Sequence, residues 1–187
     1  MAGWRRHRGR VAALAIDNID TDQLIPARFM STPRSAGYGR FLLHDLAAQG
    51  LKLDPTASIL IAGHNFGCGS SREAAVYALV DFGIKAVIAP SFGDIFAANA
   101  INNGLLPARL DNALLIAGAE ARIDLETLQI SQDGRTYDFA LDPVWQEKLI
   151  NGWDDIDLTA QHQSEISAFR ERYVAQSSWT VPKPKTA

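Results

Sequence analysis

An α/β fold with a parallel sheet is what this sequence predicts, on three observations. Continuous apolar runs of strand length recur at residues 57–63 (ASILIAG), 85–92 (KAVIAPSF) and 105–110 (LLPARL). Between them, residues 70–82 and 93–104 carry apolar side chains at helical spacing. Unbroken apolar runs, rather than alternating ones, mark strands covered on both faces, as in a parallel sheet. The resulting β-α-β-α-β order spans residues 57–110, and in such sheets function gathers in the loops at the strand C-terminal ends.

The elements follow in order. Residues 11–16 read as a strand, and DNIDTDQLIPARF (17–29) brings acidic turn chemistry before a short helix, with Pro26 as a breaker. STPRSAGYG (31–39) is rich in Ser, Pro and Gly and is expected to be a mobile loop, followed by a short helix near 40–49. In the helix over 70–82, Ala74, Ala75, Ala78, Leu79 and Phe82 share a face, and Gly83 suits its C-cap. The next helix ends at Gly104. Beyond residue 112, ARIDLETLQIS and RTYDFAL flank QDG as a hairpin, and helices are expected near 143–151 and 162–173. One domain over 1–187 is expected, with flexible ends at 1–9 and 178–187.

Of the 187 residues, 47% are hydrophobic and 21% charged, enough for a substantial core. A net charge of −3 without a basic stripe argues against nucleic acid or a membrane surface as partner. No apolar run reaches the roughly 18 residues of a membrane-spanning helix. The single cysteine cannot form an internal disulfide; a reducing, cytoplasmic setting is expected, the Arg-rich start being too short for a targeting segment.

The stretch NFGCGSSREAA (65–75) joins a buried strand to a helix, where unpaired N–H groups and the helix dipole favour an anion. One reading is a capping box, with Ser70 at N-cap and Glu73 at N3. That leaves Arg72 unexplained, because a cation in the first turn opposes the dipole. An external anion would offset it, and a guanidinium beside N–H donors can grip a carboxylate in a bidentate way. The loop lacks the lysine and spacing of a phosphate-binding Walker loop. Cys68 suits a packed small residue better than a reactive thiol. With His7, His44, His64 and His162 scattered, this chain offers no ligand set for zinc or an iron–sulfur cluster, so any metal must come from another chain. DNIDTD (17–22) fails the EF-hand pattern; it is either a capped acidic turn or a source of one carboxylate, Asp22, to orient a partner's imidazole.

Together DNIDTDQLIPARF, NFGCGSSREAA, KAVIAPSFGDIFAANAINNGLLPARL and WDDIDLTAQH, in order over residues 8–173, resemble the 3-isopropylmalate dehydratase small-subunit family of the aconitase superfamily. The resemblance implies a swivelling β/β/α three-layer domain that pairs with a large subunit bearing a [4Fe-4S] cluster. The implied reaction interconverts 2- and 3-isopropylmalate by dehydration and rehydration, in leucine biosynthesis. It further implies Ser70 as the base and Asp22 as the contact to a large-subunit histidine. Arg72 would bind a substrate carboxylate, with Ser71, Gly69 and Thr21 lining the same turn. Substrate discrimination would fall to the loop carrying Arg28, Met30, Arg34 and Tyr38, with Pro33 and Arg40 beside them; apolar contact there suits isopropyl, a free cation a carboxylate. Ala74 stands where the family often carries His. The alternatives are the same chemistry on citraconate with 2-methylmalate or on homoaconitate, and, from another class, an anion- or RNA-binding module.

Overall fold

The computed structural model describes residues 2–111 and 114–180. The chain divides into two compact units, Met1–Asp154 and Asp155–Ala187, so the single domain expected over 1–187 resolves into two parts. The first holds a seven-stranded sheet in the order β4-β3-β2-β1-β5-β6-β7. Strands β1 (Arg6–Leu14), β2 (Ala57–Ala62), β3 (Ala86–Ala89) and β4 (Leu106–Arg109) are mutually parallel. Strands β5 (Glu120–Asp124), β6 (Gln129–Gln132) and β7 (Arg135–Asp138) run antiparallel from the β1 edge. An antiparallel bridge between Arg109 and Ala140 brings the chain after β7 back to β4, so the sheet curls on itself.

The helices that position the loops are α1 (Thr21–Leu24), α2 (His44–Ala48), α3 (Glu73–Phe82) and α4 (Asp94–Asn102), with α5 (Pro143–Asn151) later in the unit. The second unit holds α6 (Asp155–Ala160), α7 (Gln163–Gln176) and a 3-10 turn at Ser178–Thr180. No described helix is long and apolar enough to cross a membrane.

Strand β2 shows why its sequence is continuously apolar. Leu60 and Ala62 pack in the cluster that takes Ala75, Leu79, Phe96 and Ala97 from α3 and α4. Ile59 and Ile61 join the opposite cluster, with Ile123, Ile130, Phe139 and Leu149. Helices α3 and α4 therefore cover one face and the curled β5–β7 region, with α5, the other, giving the three layers expected.

Two expectations change. Residues 6–9, expected at a flexible end, form half of β1 and pair with β5 from Arg6↔Asp124 to Arg10↔Glu120. The charge pattern that looked like a frayed start is cross-strand complementarity: Arg6 Nε lies 2.7 Å from Asp124, Arg8 Nε 2.9 Å from Glu120, and Arg5 2.8 Å from Glu126. Such exposed pairs are individually weak and act together to set register. On the other face His7 Nε2 sits 2.8 Å from Ser58 Oγ, and burial pushes the imidazole pKa below its ordinary value. At the other end, Ser178–Thr180 form a turn, and the rest of the 178–187 segment lies outside the described residues.

The second change concerns ARIDLETLQIS, which is two strands. Asp124 Oδ1 accepts from Glu126 N at 2.9 Å and Leu128 adopts φ 55°, turning the chain between β5 and β6. The QDG hairpin is as expected, with Asp133 (φ 49°) and Gly134 (φ 76°) both left-handed, as a two-residue type I′ turn requires.

Because Ile59 and Leu60 are fully buried on opposite faces, Ile59→Ala and Leu60→Ala should each lower the unfolding free energy by about 2–5 kcal/mol in denaturant titrations.

Candidate active site

Three loops leave the C-terminal ends of β1, β2 and β3 and are stitched together by main-chain hydrogen bonds. Between the first two, Asn18 N donates to His64 O (2.8 Å), Gly67 N to Ile19 O (2.7 Å) and Thr21 N to Cys68 O (3.0 Å). Between the second and third, Phe66 N donates to Ser91 O (3.1 Å) and Gly93 N to Phe66 O (2.9 Å). Asn65 Nδ2 reaches Asn18 Oδ1 at 2.9 Å and Asn65 N reaches Ser91 Oγ at 2.8 Å. Asn18 and Asn65 were missed in the sequence; their left-handed φ of 57° and 55° is a conformation Asn tolerates. Gly67 is required here, since it has φ +74° and a Cβ would lie 2.2 Å from the Phe96 ring.

Helix α3 begins at Glu73, with Arg72 in the extended N-cap position and no side-chain cap. Ser70 is thus not the N-cap, and the capping-box reading is excluded. Gly69, Ser70 and Ser71 precede the helix and are exposed. None of the hydrogen bonds among the described residues uses their N–H groups as donors. A hydroxyl on such a loop is free to meet a ligand, with unpaired N–H groups and a helix N-terminus beside it.

Arg72 brings a cation to that terminus, and its counter-ion is internal: Nη1 ion-pairs with Oδ1 of Asp22, in the first turn of α1. Nη1 is buried, so the pair is shielded from water on the guanidinium side. Asp22 is 53% exposed and Arg72 19%, so the carboxylate faces solvent while the guanidinium is mostly enclosed. The carboxylate offsets the helix-dipole penalty that the sequence assigned to an external anion.

Of the two residues preceding Asp22, Asp20 caps α1 in a capping box with Gln23 (Asp20 Oδ1 from Gln23 N, 2.7 Å; Asp20 N to Gln23 Oε1, 2.9 Å). Thr21 is 2% exposed and its Oγ1 donates to Ser70 O at 3.1 Å. The Thr21 hydroxyl thus contacts the turn that the residue was expected to line. Cys68 is partly buried, with Sγ 3.5 Å from Asn18 O.

The loop expected to be mobile is anchored. Arg34 Nη2 bonds Asp81 of α3 at 2.8 Å and lies 3.6 Å from the Tyr77 ring centre. Tyr38, 7% exposed, donates its N–H to Asp81 (2.7 Å) and its hydroxyl to Thr32 O (2.9 Å). Arg28 pairs with Asp45 through Nη1 (3.0 Å) and Nη2, and lies 4.6 Å from the Phe29 ring centre. Arg40 lies over Phe41, also at 4.6 Å. Met30 is 42% exposed. Among the described residues no group of three His, Cys, Asp or Glu could hold a metal ion.

Comparison with known proteins agrees with this architecture. Residues 45–113 match the family model described as the aconitase C-terminal domain. The chain is 42% identical over 188 residues to a 3-isopropylmalate dehydratase small subunit from Shouchella clausii, covering 90% of this chain and 95% of that protein. Identity is 44% over 193 residues to the protein of the same description from Bacillus pumilus, covering 92% and 96%. The crystal structure of 3-isopropylmalate dehydratase from Methanocaldococcus jannaschii superposes with a TM-score of 0.69 at 29% identity, covering 87% of this chain and 98% of that one.

The Arg28 pair makes a pH prediction. Hydrogen bonds from the Arg28 guanidinium, then from His44, hold the Asp45 carboxyl down to about 2. A depressed folded-state pKa means that the pair's contribution is present above the ordinary carboxylate range and lost as pH falls through about 2. Both groups are exposed, so the stability effect is small. Carboxyl NMR titration should find the low Asp45 value, and Arg28→Gln should return it toward the ordinary range.

Proposed function

The chain belongs to the 3-isopropylmalate dehydratase small-subunit family, and from that premise we propose that it completes a hydro-lyase site with a large subunit. It acts as the small subunit of the heteromeric enzyme that interconverts 2- and 3-isopropylmalate, a step of leucine biosynthesis, in the cytoplasm. The observation that carries this reading is the loop Gly69–Arg72, which offers an exposed hydroxyl, unpaired N–H groups and an enclosed guanidinium. Such a loop can bind a carboxylate and take a proton from the carbon α to it, but cannot by itself exclude water, and a second chain must close it.

In this mechanism Ser70 takes the proton from the carbon α to a substrate carboxylate. A serine hydroxyl is a weak base, so its alkoxide depends on the N–H groups of Gly69 and Ser71 and on the α3 N-terminus. Arg72 binds the carboxylate that acidifies this proton, and its pairing with Asp22 keeps the guanidinium directed at the loop. The exposed side of Asp22 is available to a large-subunit histidine. The departing hydroxyl needs an electrophile that this chain does not supply: Cys68 is its only cysteine, and the residues present do not form a cluster site. In the assembled enzyme a [4Fe-4S] cluster in the large subunit would act there as Lewis acid.

For the substrate's variable group, the anchored loop favours an apolar substituent. Arg28 and Arg34 are occupied by Asp45 and Asp81 and Arg40 is stacked on Phe41, leaving Met30 as an exposed apolar contact. A carboxylate in that position would compete with existing ion pairs.

In the reconstituted complex, Ser70→Ala should lower kcat by at least about 10³-fold without preventing assembly; near-normal turnover would remove Ser70 from the role of base. Arg72→Lys keeps the charge but loses the fork, and kcat/KM should fall roughly 10- to 100-fold. Across a panel of isopropylmalate, 2-methylmalate and homoaconitate, kcat/KM should be highest for isopropylmalate, and a preference for the tricarboxylate would refute the reading of the loop.

A further inference from the structure

Thr21 is one of three buried polar or charged side chains among the described residues, with Gln132 and Lys148, and is only 2% exposed. Its burial removes it from direct contact with a ligand. Both of its donors go to the loop after β2: the N–H to Cys68 O at 3.0 Å and Oγ1 to Ser70 O at 3.1 Å. These two acceptors bracket Gly69, which turns the chain with a left-handed φ of +93°. The turn makes no hydrogen bond of its own through Gly69, Ser70 or Ser71 N–H groups among the described residues. The orientation of the Ser70 peptide is therefore set from across the site. Thr21 in turn is held at the first position of α1 by the Asp20–Gln23 capping box.

We propose that Thr21 is a positioning residue for the reaction, which acts by holding the Ser70 carbonyl and thereby aiming the Ser70 hydroxyl at the substrate's α-carbon. The inference rests on the reading of Ser70 as the base. The Thr21 hydroxyl contributes nothing to substrate binding, so its loss misplaces the base without weakening the carboxylate contact at Arg72.

The test uses the complex reconstituted with its large subunit and isopropylmalate as substrate. Thr21→Val keeps the branched shape and the N–H to Cys68 but removes the bond to Ser70; kcat should fall about 10- to 100-fold while KM stays within about twofold. Thr21→Ser restores the hydroxyl and should recover most of kcat. Wild-type kcat in Thr21→Val, a loss confined to KM, or a Thr21→Ser variant as slow as Thr21→Val would each overturn the inference. Should Thr21→Val fail to assemble, Thr21→Ala takes its place, and a Thr21→Ser no faster than Thr21→Ala overturns it in the same way. Ser70→Ala, measured in parallel, separates the two levels: an active Ser70→Ala defeats the reading of the base, whereas an inactive Ser70→Ala beside a fully active Thr21→Val defeats only the role of Thr21.

Discussion

Three backbone segments meet within hydrogen-bonding distance at the C-terminal ends of β1, β2 and β3, and everything in the site depends on that crossing. The middle segment, residues 64–70, is bonded on one side to residues 18–21 and on the other to residues 91–93. A Cβ at residue 67 would strike the Phe96 ring and one at residue 93 would lie 2.6 Å from the Gly67 carbonyl oxygen, so the crossing depends on both glycines. Each parallel strand delivers its loop at the same edge of the sheet, and the stitching turns three separate loops into one platform.

On that platform the electrostatics are arranged around one cation. Arg72 stands at the N-terminus of α3, where the dipole disfavours it. Asp22, delivered by the β1 loop, supplies the compensating charge. The pairing leaves Ser70 and Ser71 exposed beside unpaired N–H groups, an arrangement that favours negative charge on an oxygen or a bound carboxylate. In the proposed complex this open surface is half of a site, and a large subunit supplies the other half. The proposed division of labour fits a chain with a lone cysteine and four dispersed histidines.

Much of the fold was legible in the sequence. The apolar runs marked β2, β3 and β4, and the helical spacing with Gly83 marked α3, because burial on both sheet faces and helix periodicity are local patterns. The site was legible as a set of residues, since Gly-rich junctions after buried strands and a cation in a helix's first turn are local anomalies. What could not be read locally was read wrongly. Arg5, Arg6 and Arg8 appeared frayed because their acidic partners lie more than a hundred positions away on and after β5. Ser70 passed for an N-cap because its spacing to Glu73 fits a capping box, yet the tertiary bond from Thr21 to the Ser70 carbonyl accompanies a helix that starts three residues later.

The sequence by itself determined the class of fold and the family, and it singled out the loop proposed to carry the chemistry, because each follows from patterns within a few residues. The tertiary structure decided how those residues are used: Asp22 as counter-ion to Arg72, Thr21 as a buried brace, and Arg28 and Arg34 as occupied cations. These assignments depend on pairs of groups far apart in the chain, and only the register of the parallel strands brings them together.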